Sequence, residues 1–314
     1  MNAKFFSLCA GILFLTSTSA LLGQTPETPN LAGAPPRFLN FVHVQLKPGR
    51  ASAYASLEAA IVRGYNGAQV DIHWLCLQAI TGPSGVLYLN FFNSFEEYEK
   101  IFATYGQALA KHPDLLQMQD RLQLENMSGY ETVIGVRRDD MGYRAGAIDF
   151  SKMRRLRIHE FHVRQGRESD FAEAARIVAA AYARTLPDAS WIVYQVDSGT
   201  AGSTFLVLIP LVSLGELDNV IAASKSLADA EAEIGGERLP QIGLEAISSI
   251  ENNMYVVAPE MSHMPKDFTD GDPDFWTPQP SPPAKPRVGG AQPPAKPAAG
   301  APKPPTKPSL EKRP

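Results

Sequence analysis

Cysteine is almost absent from this 314-residue chain, which contains only Cys9 and Cys76. A disulfide framework therefore cannot stabilise the fold, and Cys76, in an apolar strand-like segment, is expected to be a small buried side chain. Long apolar runs are lacking as well, since the N-terminal run from Phe5 to Leu15 is shorter than the roughly 20 residues that span a bilayer. With 44% hydrophobic residues, the chain can instead bury an ordinary globular core.

A basic surface is missing from most of the chain. The net charge is −4, but residues 277–314 carry seven Lys or Arg and one acid, which leaves −10 on the rest. Domains that bind nucleic acid show a clustered basic face. The acidic body therefore predicts that nucleic acid is not a partner.

The motifs that identify common enzyme classes are also missing. The sequence has no phosphate-binding loop, dinucleotide-binding glycine fingerprint or nucleophile elbow. His159 and His162 are three residues apart in a predicted strand, where such side chains point to opposite faces, so the pair is a poor metal site. No axial haem ligand stands out either. We therefore predict no metal and no cofactor.

The N-terminus has the pattern of a secretory signal peptide. Lys4 precedes the short apolar run and small residues follow it, which predicts cleavage of residues 1–23 and export to the periplasm or the extracellular space. An uncleaved N-terminal anchor helix is the alternative. After cleavage no integral membrane segment is expected in the mature chain, and residues 24–36 form a predicted Pro-rich linker.

The C-terminal residues 277–314 consist mainly of Pro, Ala, Lys and Gly, with almost no bulky apolar side chains. Such a segment cannot bury enough apolar surface to offset the entropy of ordering it, so we predict a disordered tail that folding does not require. Its positive charge suits an anionic surface and its prolines suit a Pro-recognising domain. A solvated spacer is the simpler alternative.

One stretch occurs twice and organises the rest of the chain. Residues 38–46 and residues 156–163 are apolar-rich runs with interspersed polar residues, and each is followed by a Gly-Arg turn. The two copies lie about 117 residues apart, and at the same offset Trp74 corresponds to Trp191. This shared register predicts a tandem duplication.

Each copy begins a module with the predicted order strand, helix, strand, strand, helix, strand. The helix after the third strand opens with a capping box, Ser94–Glu97 in the first module and Ser213–Glu216 in the second. This order is the ferredoxin-like βαββαβ arrangement, so we predict an α+β fold with modules at residues 37–150 and 151–276. Helices would cover one face of each sheet, and the two remaining faces would pack together as a barrel-like pseudo-dimer.

With these features the chain resembles the dimeric α+β barrel superfamily, which includes antibiotic-biosynthesis-monooxygenase-like and NIPSNAP-like proteins. The resemblance covers residues 37–140 and 156–258 and rests on the element order, the Gly-Arg turns and the capped helices. It implies a barrel-like pairing of two sheets. Members include cofactor-independent oxygenases, haem-binding and haem-degrading enzymes, decarboxylases and dehydratases, and no family catalytic motif can be matched residue by residue.

Alternation along the strands predicts which side chains face the space between the sheets. In the first strand of each module, the face that mixes polar and apolar side chains is expected to border that space. In the second strand of each module, the face that carries tryptophan is expected to border it, so Leu75 and Leu77 are expected to face the helices. The predicted acid–base groups are His43, Glu160 and His162, because imidazole titrates near neutral pH and a carboxylate beside it can set its tautomer. The predicted cavity walls and orienting groups are Phe41, Gln45, Trp74, Gln78, Ile158, Trp191 and Gln195.

These residues favour a protein that binds a small, partly apolar molecule between two ferredoxin-like sheets. A cofactor-independent monooxygenase-like or haem-handling enzyme is one alternative. The other is a structural or interaction protein with a filled barrel and a basic, Pro-rich binding tail. An open pocket with His43 and Glu160 would favour the first two functions, whereas a packed interior, in which the polar residues satisfy one another, would favour the third. The sequence is also compatible with a homo-oligomer.

Overall fold

The fold contains eight strands and nine α-helices within residues 35–277, the part of the chain that the computed structural model describes. The strands are β1 (Phe38–Leu46), β2 (Leu75–Ala79), β3 (Gly85–Phe92), β4 (Met127–Arg137), β5 (Arg155–Val163), β6 (Ile192–Ser198), β7 (Ser203–Leu211) and β8 (Ile247–Val257). The helices are α1 (Ala51–Gly67), α2 (Phe95–Lys111), α3 (Pro113–Arg121), α4 (Glu168–Thr185), α5 (Gly215–Ala222), α6 (Ser224–Gly235), α7 (Arg238–Ala246), α8 (Lys266–Thr269) and α9 (Pro273–Trp276). The predicted signal peptide, most of the predicted linker and the predicted tail from residue 278 lie outside the described residues.

All eight strands belong to one closed barrel, in the order β1-β3-β2-β8-β5-β7-β6-β4. Neighbouring strands are antiparallel throughout. Two pairings join the halves of the chain: β2 with β8, where Leu77 is opposite Val257, and β4 with β6, where Gly135 is opposite Val196. The predicted α+β class and the predicted barrel are therefore confirmed.

Alternate side chains of all eight strands point into the barrel and form its main apolar core. In β1 these include Leu39 and Phe41, and in β5 they include Leu156 and Ile158. Phe41 and Ile158 therefore lie between the sheets, as alternation predicted for the first strand of each half. These side chains are buried, so the barrel interior is packed at this level.

The faces predicted for the second strands are wrong. Leu75 and Leu77 of β2 point into the barrel, whereas Trp74 and Cys76 pack on the helix side. Trp191, just before β6, likewise packs under the helices of the second half. Both faces of these strands are apolar, so alternation alone does not show which one is inside. The pairing of β2 with β3 and of β6 with β7 decides it, because a one-residue change of register would exchange the faces.

One end of the barrel is closed by side chains that come from outside the strands. Phe150 and Met153 belong to the connection between the halves, Phe268 and Trp276 belong to the C-terminal segment, and all four are part of the barrel core. Trp276 Nε1 donates a hydrogen bond to the Ser151 carbonyl at 2.8 Å. The C-terminal aromatic residues therefore pack back on the fold.

Phe150→Ala is expected to lower the free energy of unfolding by about 3–5 kcal/mol, because Phe150 is 0% exposed at the closed end and truncation leaves a cavity. Phe95 on α2 is the matched control: it is 48% exposed, so Phe95→Ala should change the free energy by only about 0.5 kcal/mol. Denaturant titration followed by tryptophan fluorescence measures both. Equal, small losses would show that the Phe150 ring does not close the barrel.

Helices cover the outer faces of the strands. In the first half, α1, α2 and α3 pack on β1 and β3 around Tyr54, Ile61 and Tyr105. In the second half, α4 packs over β5 and β7 around Phe171 and Phe205. Within residues 35–277, none of the helices combines the length and the apolar character needed to cross a bilayer.

The two predicted capping boxes have different outcomes. Ser94 Oγ accepts a hydrogen bond from the Glu97 amide at 3.1 Å, so the first helix start is confirmed. The second is wrong, because α5 begins at Gly215 without a side-chain cap. The carboxylate half of the motif persists there: Glu216 accepts from the Ser213 amide at 2.9 Å.

Candidate functional site

The end of the barrel opposite Phe150 carries ionisable side chains on its inner face. We call this group the barrel mouth, and it consists of His43, Glu131, Glu160, His162 and Glu251. The register assembles it, because His43 is opposite Glu131 in β4 and Glu160 is opposite Glu251 in β8. Glu160 Oε1 also lies 3.3 Å from His162 Nε2. The three predicted acid–base residues therefore share one end of the barrel.

Burial and mutual charge perturb the groups of the barrel mouth. Burial lowers the pKa of His43, and the Glu131 and Glu251 carboxylates oppose this shift. Burial raises the pKa of Glu160, and His162 opposes it. Because His43 interacts with Glu251 and Glu160 with Glu131, the two halves of the barrel are electrostatically coupled at this end.

Glu131 and Glu251 were missed by the sequence reasoning. Both lie on the closing strand of a half, where each is paired with a predicted site residue of the first strand. The signal was available: an antiparallel pairing of first and fourth strands places alternate residues of both on the same face. Gly85 lies beside the His43 ring: a Cβ there would be 2.5 Å from the Val44 carbonyl oxygen and 3.0 Å from His43 Nε2.

The predicted wall residues of the second strands do not reach the barrel interior. Trp74 Nε1 donates to the Met261 carbonyl at 2.9 Å on the helix side, and Trp191 Nε1 donates to the Met141 carbonyl at 3.0 Å. Gln195 accepts from Arg138 Nη1 at 2.6 Å, and Gln78 shares the outer face of β2. Gln45 remains on the inner face but is exposed.

No group of three or more His, Cys, Asp or Glu side chains within residues 35–277 is arranged to hold a metal ion. His162 is on the inner face beside Thr204, whose Oγ1 lies 3.2 Å from His162 Nδ1. His159 is on the outer face, where its ring stacks on Phe161 with centroids 6.2 Å apart. Burial, with Arg157 next to it, lowers the pKa of His159 to about 4.

A cavity of about 300 Å³ lies outside the barrel, between the first-half sheet and the helices α1, α2 and α3. We call it the helix-side cavity. Its volume is at the lower end of the roughly 300–1,000 Å³ typical of small-molecule sites. Apolar and aromatic side chains form most of its wall, and the aromatic ones are Trp74, Tyr88, Tyr98, Phe102, Tyr105 and Tyr130.

Among the described residues of this lining, Glu58 of α1 is the one acid, and it is only 4% exposed. Burial raises the pKa of Glu58 to about 8, although a hydrogen bond with Tyr88 opposes the shift. The Tyr88 hydroxyl is 2.5 Å from the Tyr54 hydroxyl. The Glu58 carboxyl group and the hydroxyls of Tyr88 and Tyr54 therefore form one hydrogen-bonded chain. Near neutral pH Glu58 therefore lies close to the point where it gains or loses a proton.

Sequence reasoning missed Glu58, although a signal was present. Tyr54, Ile61 and Tyr65 form the buried stripe of α1, and Glu58 has the helical spacing that places it on the same stripe. Carboxylates are rarely fully buried unless paired. An acid at an apolar stripe position was therefore the feature that pointed to this cavity.

Amide groups supply the other polar part of the helix-side cavity. Asn40 is 8% exposed, and its Nδ2 donates to Asn90 Oδ1 at 3.4 Å. The Asn40 Oδ1 atom is buried and has no hydrogen-bond partner among the described residues. Because an unsatisfied buried carbonyl costs about 1–3 kcal/mol, a hydrogen-bond donor in the cavity would stabilise this arrangement.

The lining does not fit haem. Among the described residues that form it there is no histidine, cysteine or methionine, which are the usual axial ligands apart from tyrosine. Burial and the neighbouring Glu58 raise the pKa of Tyr88 far above its usual range, which disfavours the phenolate of this one lining tyrosine as an iron ligand.

Comparison with known proteins finds only solved structures of low sequence identity and low structural similarity. No protein-family profile matches the chain, and no curated sequence matches it. A candidate monooxygenase from Fusobacterium nucleatum is 14% identical, covering 71% of this chain and 93% of its own, with a TM-score of 0.44. A mutant chlorite dismutase from Candidatus Nitrospira defluvii is 9% identical, covering 74% and 95%, with a TM-score of 0.45.

A haem-binding protein from Thermus thermophilus is also similar: it is 9% identical and covers 73% of this chain and 95% of its own, with a TM-score of 0.37. Similarity at this level transfers no activity and no ligand. The strand pairing of the chain itself establishes what it is: an α+β protein whose eight antiparallel strands close into one barrel.

Proposed function

We propose that the protein binds a small, mostly apolar molecule in the helix-side cavity. The observation that carries this proposal is an aromatic cavity of about 300 Å³ with a few convergent polar groups, among them Glu58 and the unpartnered Asn40 carbonyl. Such a composition is typical of ligand sites, where apolar walls supply affinity and a few polar atoms fix orientation. The binding place therefore differs from the space between the sheets that the sequence favoured.

The packed barrel core favours a ligand site in the helix-side cavity over one between the sheets. Side chains from both halves fill the interior, and Phe150 and Trp276 close one end of it. A ligand of comparable size would have to displace core side chains there. Truncating such side chains typically costs about 2–5 kcal/mol each, whereas the helix-side cavity needs no displacement.

Binding of N-phenyl-1-naphthylamine, a neutral probe whose fluorescence rises in apolar sites, tests the proposal. Ile101→Trp fills part of the cavity and is expected to weaken probe binding by about tenfold or more. Ile80→Trp is the matched control, because Ile80 is exposed and outside the lining. Equal affinity of both variants, or no probe binding by the wild-type chain, would contradict the proposal.

The barrel mouth is a second candidate, as an acid–base site formed by His43, Glu160 and His162. The contact of 3.3 Å between Glu160 and His162 favours it. Nuclear magnetic resonance separates the two places. A ligand in the helix-side cavity should shift the indole signal of Trp74, whereas a ligand at the barrel mouth should shift the imidazole signals of His43 and His162.

We also propose that the halves are ferredoxin-like modules, residues 37–150 and 151–276, which arose by tandem duplication and pair as a pseudo-dimer. Hydrogen bonds at equivalent positions of the two halves support the duplication. Trp74 donates to the Met261 carbonyl after β8, and Trp191 donates to the Met141 carbonyl after β4. Each half thus holds the segment that follows the last strand of the other.

Export after removal of residues 1–23 and a role of the basic tail at an anionic surface remain proposals from the sequence pattern. The residues concerned lie outside those that the structure describes. N-terminal sequencing of the protein from its own host tests the first, and a result that begins at Met1 would contradict it.

A further inference from the structure

We propose that the ligand of the helix-side cavity is an organic cation, a quaternary or protonated amine with a small apolar body, and that Glu58 is its counter-ion. This inference rests on the proposed function, because it assigns a ligand class to the same cavity.

The aromatic wall is the first reason. Six aromatic side chains line the cavity, from β2, β3, β4 and α2 or the residues next to them. The faces of aromatic rings carry partial negative charge and attract cations, and aromatic cages bind quaternary ammonium groups in this way. Aliphatic walls of equal volume would bind a neutral ligand equally well, so the abundance of rings favours a positive charge.

The charges of the lining are the second reason. No Lys, Arg or His is among the described residues that form the cavity, and Glu58 is its only acid. A buried carboxylate is normally paired with a base, and none of the described lining residues is one, so burial favours the protonated form of Glu58. An anionic ligand would be buried beside Glu58 without a partner. A cationic ligand would supply the missing charge.

The proton on Glu58 couples binding to pH. Its pKa of about 8 means that the carboxyl group is mostly neutral at pH 7, so a cation must displace the proton. That displacement weakens binding at pH 7 by only about tenfold. The titratable groups that face Glu58 are the hydroxyls of Tyr88 and Tyr54 and the thiol of Cys76, and burial raises the pKa of Tyr88 and of Cys76. Cys76 and Tyr88 therefore stay neutral while Glu58 ionises.

Two probes of matched shape test the inference: benzyltrimethylammonium and neopentylbenzene, in which carbon replaces the charged nitrogen. Both are measured by displacement of N-phenyl-1-naphthylamine. We expect the cation to bind more tightly than the neutral probe at pH 9, and its affinity to rise about tenfold from pH 7 to pH 9. Calorimetry at pH 7 in buffers of different ionisation enthalpy should show release of close to one proton per cation bound.

Glu58→Gln should remove the pH dependence, the proton release and the preference for the cation, while neopentylbenzene binding is retained. Glu96→Gln is the same substitution at an exposed position on α2 and should behave as wild type. If N-phenyl-1-naphthylamine does not bind at all, the proposed function fails. If it binds, but the cation binds no better than neopentylbenzene and releases no proton, the cavity stands and the organic-cation assignment is wrong.

Discussion

Glu58→Gln is expected to raise the free energy of unfolding by about 3 kcal/mol at pH 7 and by about 4 kcal/mol at pH 8. The reason is the raised pKa of Glu58, which is about 8 in the fold against an ordinary value of 4.5. Glutamine has nearly the same shape as the protonated acid, and its side-chain carbonyl can still accept a hydrogen bond from the Tyr88 hydroxyl. It removes the titration and leaves the packing in place.

The sign of the effect follows from proton linkage. The folded chain keeps a proton on Glu58 that the unfolded chain releases above its ordinary pKa of 4.5. Stability from this group is therefore fully present below about pH 4.5 and is lost as the pH rises towards about 8. The gain in the glutamine variant should be near zero at pH 4 and should level off above pH 8.

Denaturant titrations of wild type and Glu58→Gln between pH 4 and pH 9 measure this difference. Glu96→Gln is the control, because Glu96 is exposed and paired with Lys100 on the surface. Its pH profile should follow that of the wild type. A constant difference between Glu58→Gln and wild type at every pH would show that Glu58 keeps an ordinary pKa, and the pH-dependent part of the cation proposal would then fail as well.

Residues 37–150 or residues 151–276 expressed alone are expected to aggregate or to self-associate. Each half presents an inner sheet face that the other half covers in the full chain, through side chains such as Phe41 and Ile158. Burial of apolar surface contributes roughly 25 cal/mol per Å², so a few hundred Å² correspond to several kcal/mol. That is comparable with the roughly 5–15 kcal/mol of a whole domain.

Unpaired strand edges add to this expectation. The β2–β8 and β4–β6 pairings exist only when both halves are present, and an exposed edge is a template for association with another chain. Two copies of one half could close a barrel as a homodimer, which would be the mildest form of self-association.

Size-exclusion chromatography with light scattering and thermal melting, with residues 35–277 as the reference, measure the outcome. A monomeric half whose melting temperature equals that of the reference would mean that the barrel core does not stabilise the halves jointly. Co-expression of both halves should restore a stable one-to-one complex, which distinguishes a missing partner from a damaged half.

Strand faces were predictable only where the two faces differ in character. In β1 one face carries Val42 and Val44 and the other carries His43, so polarity separates them. In β2, Leu75 and Leu77 lie on one face, and Cys76 lies on the other face together with Trp74, which directly precedes the strand. Both faces are apolar there, and the choice depends on the register with β3.

The sequence by itself determined the α+β class, the element order and the placement of His43, Glu160 and His162 on one face. These are local properties, since strand alternation and helix caps depend on near neighbours along the chain. Tertiary structure decided the rest. Glu131 and Glu251 joined the barrel mouth through pairing with distant strands, and Glu58 acquired its pKa of about 8 because three helices and a sheet exclude water around it. Burial and cross-strand contact are properties of the assembled fold, so no single segment of the sequence contains them.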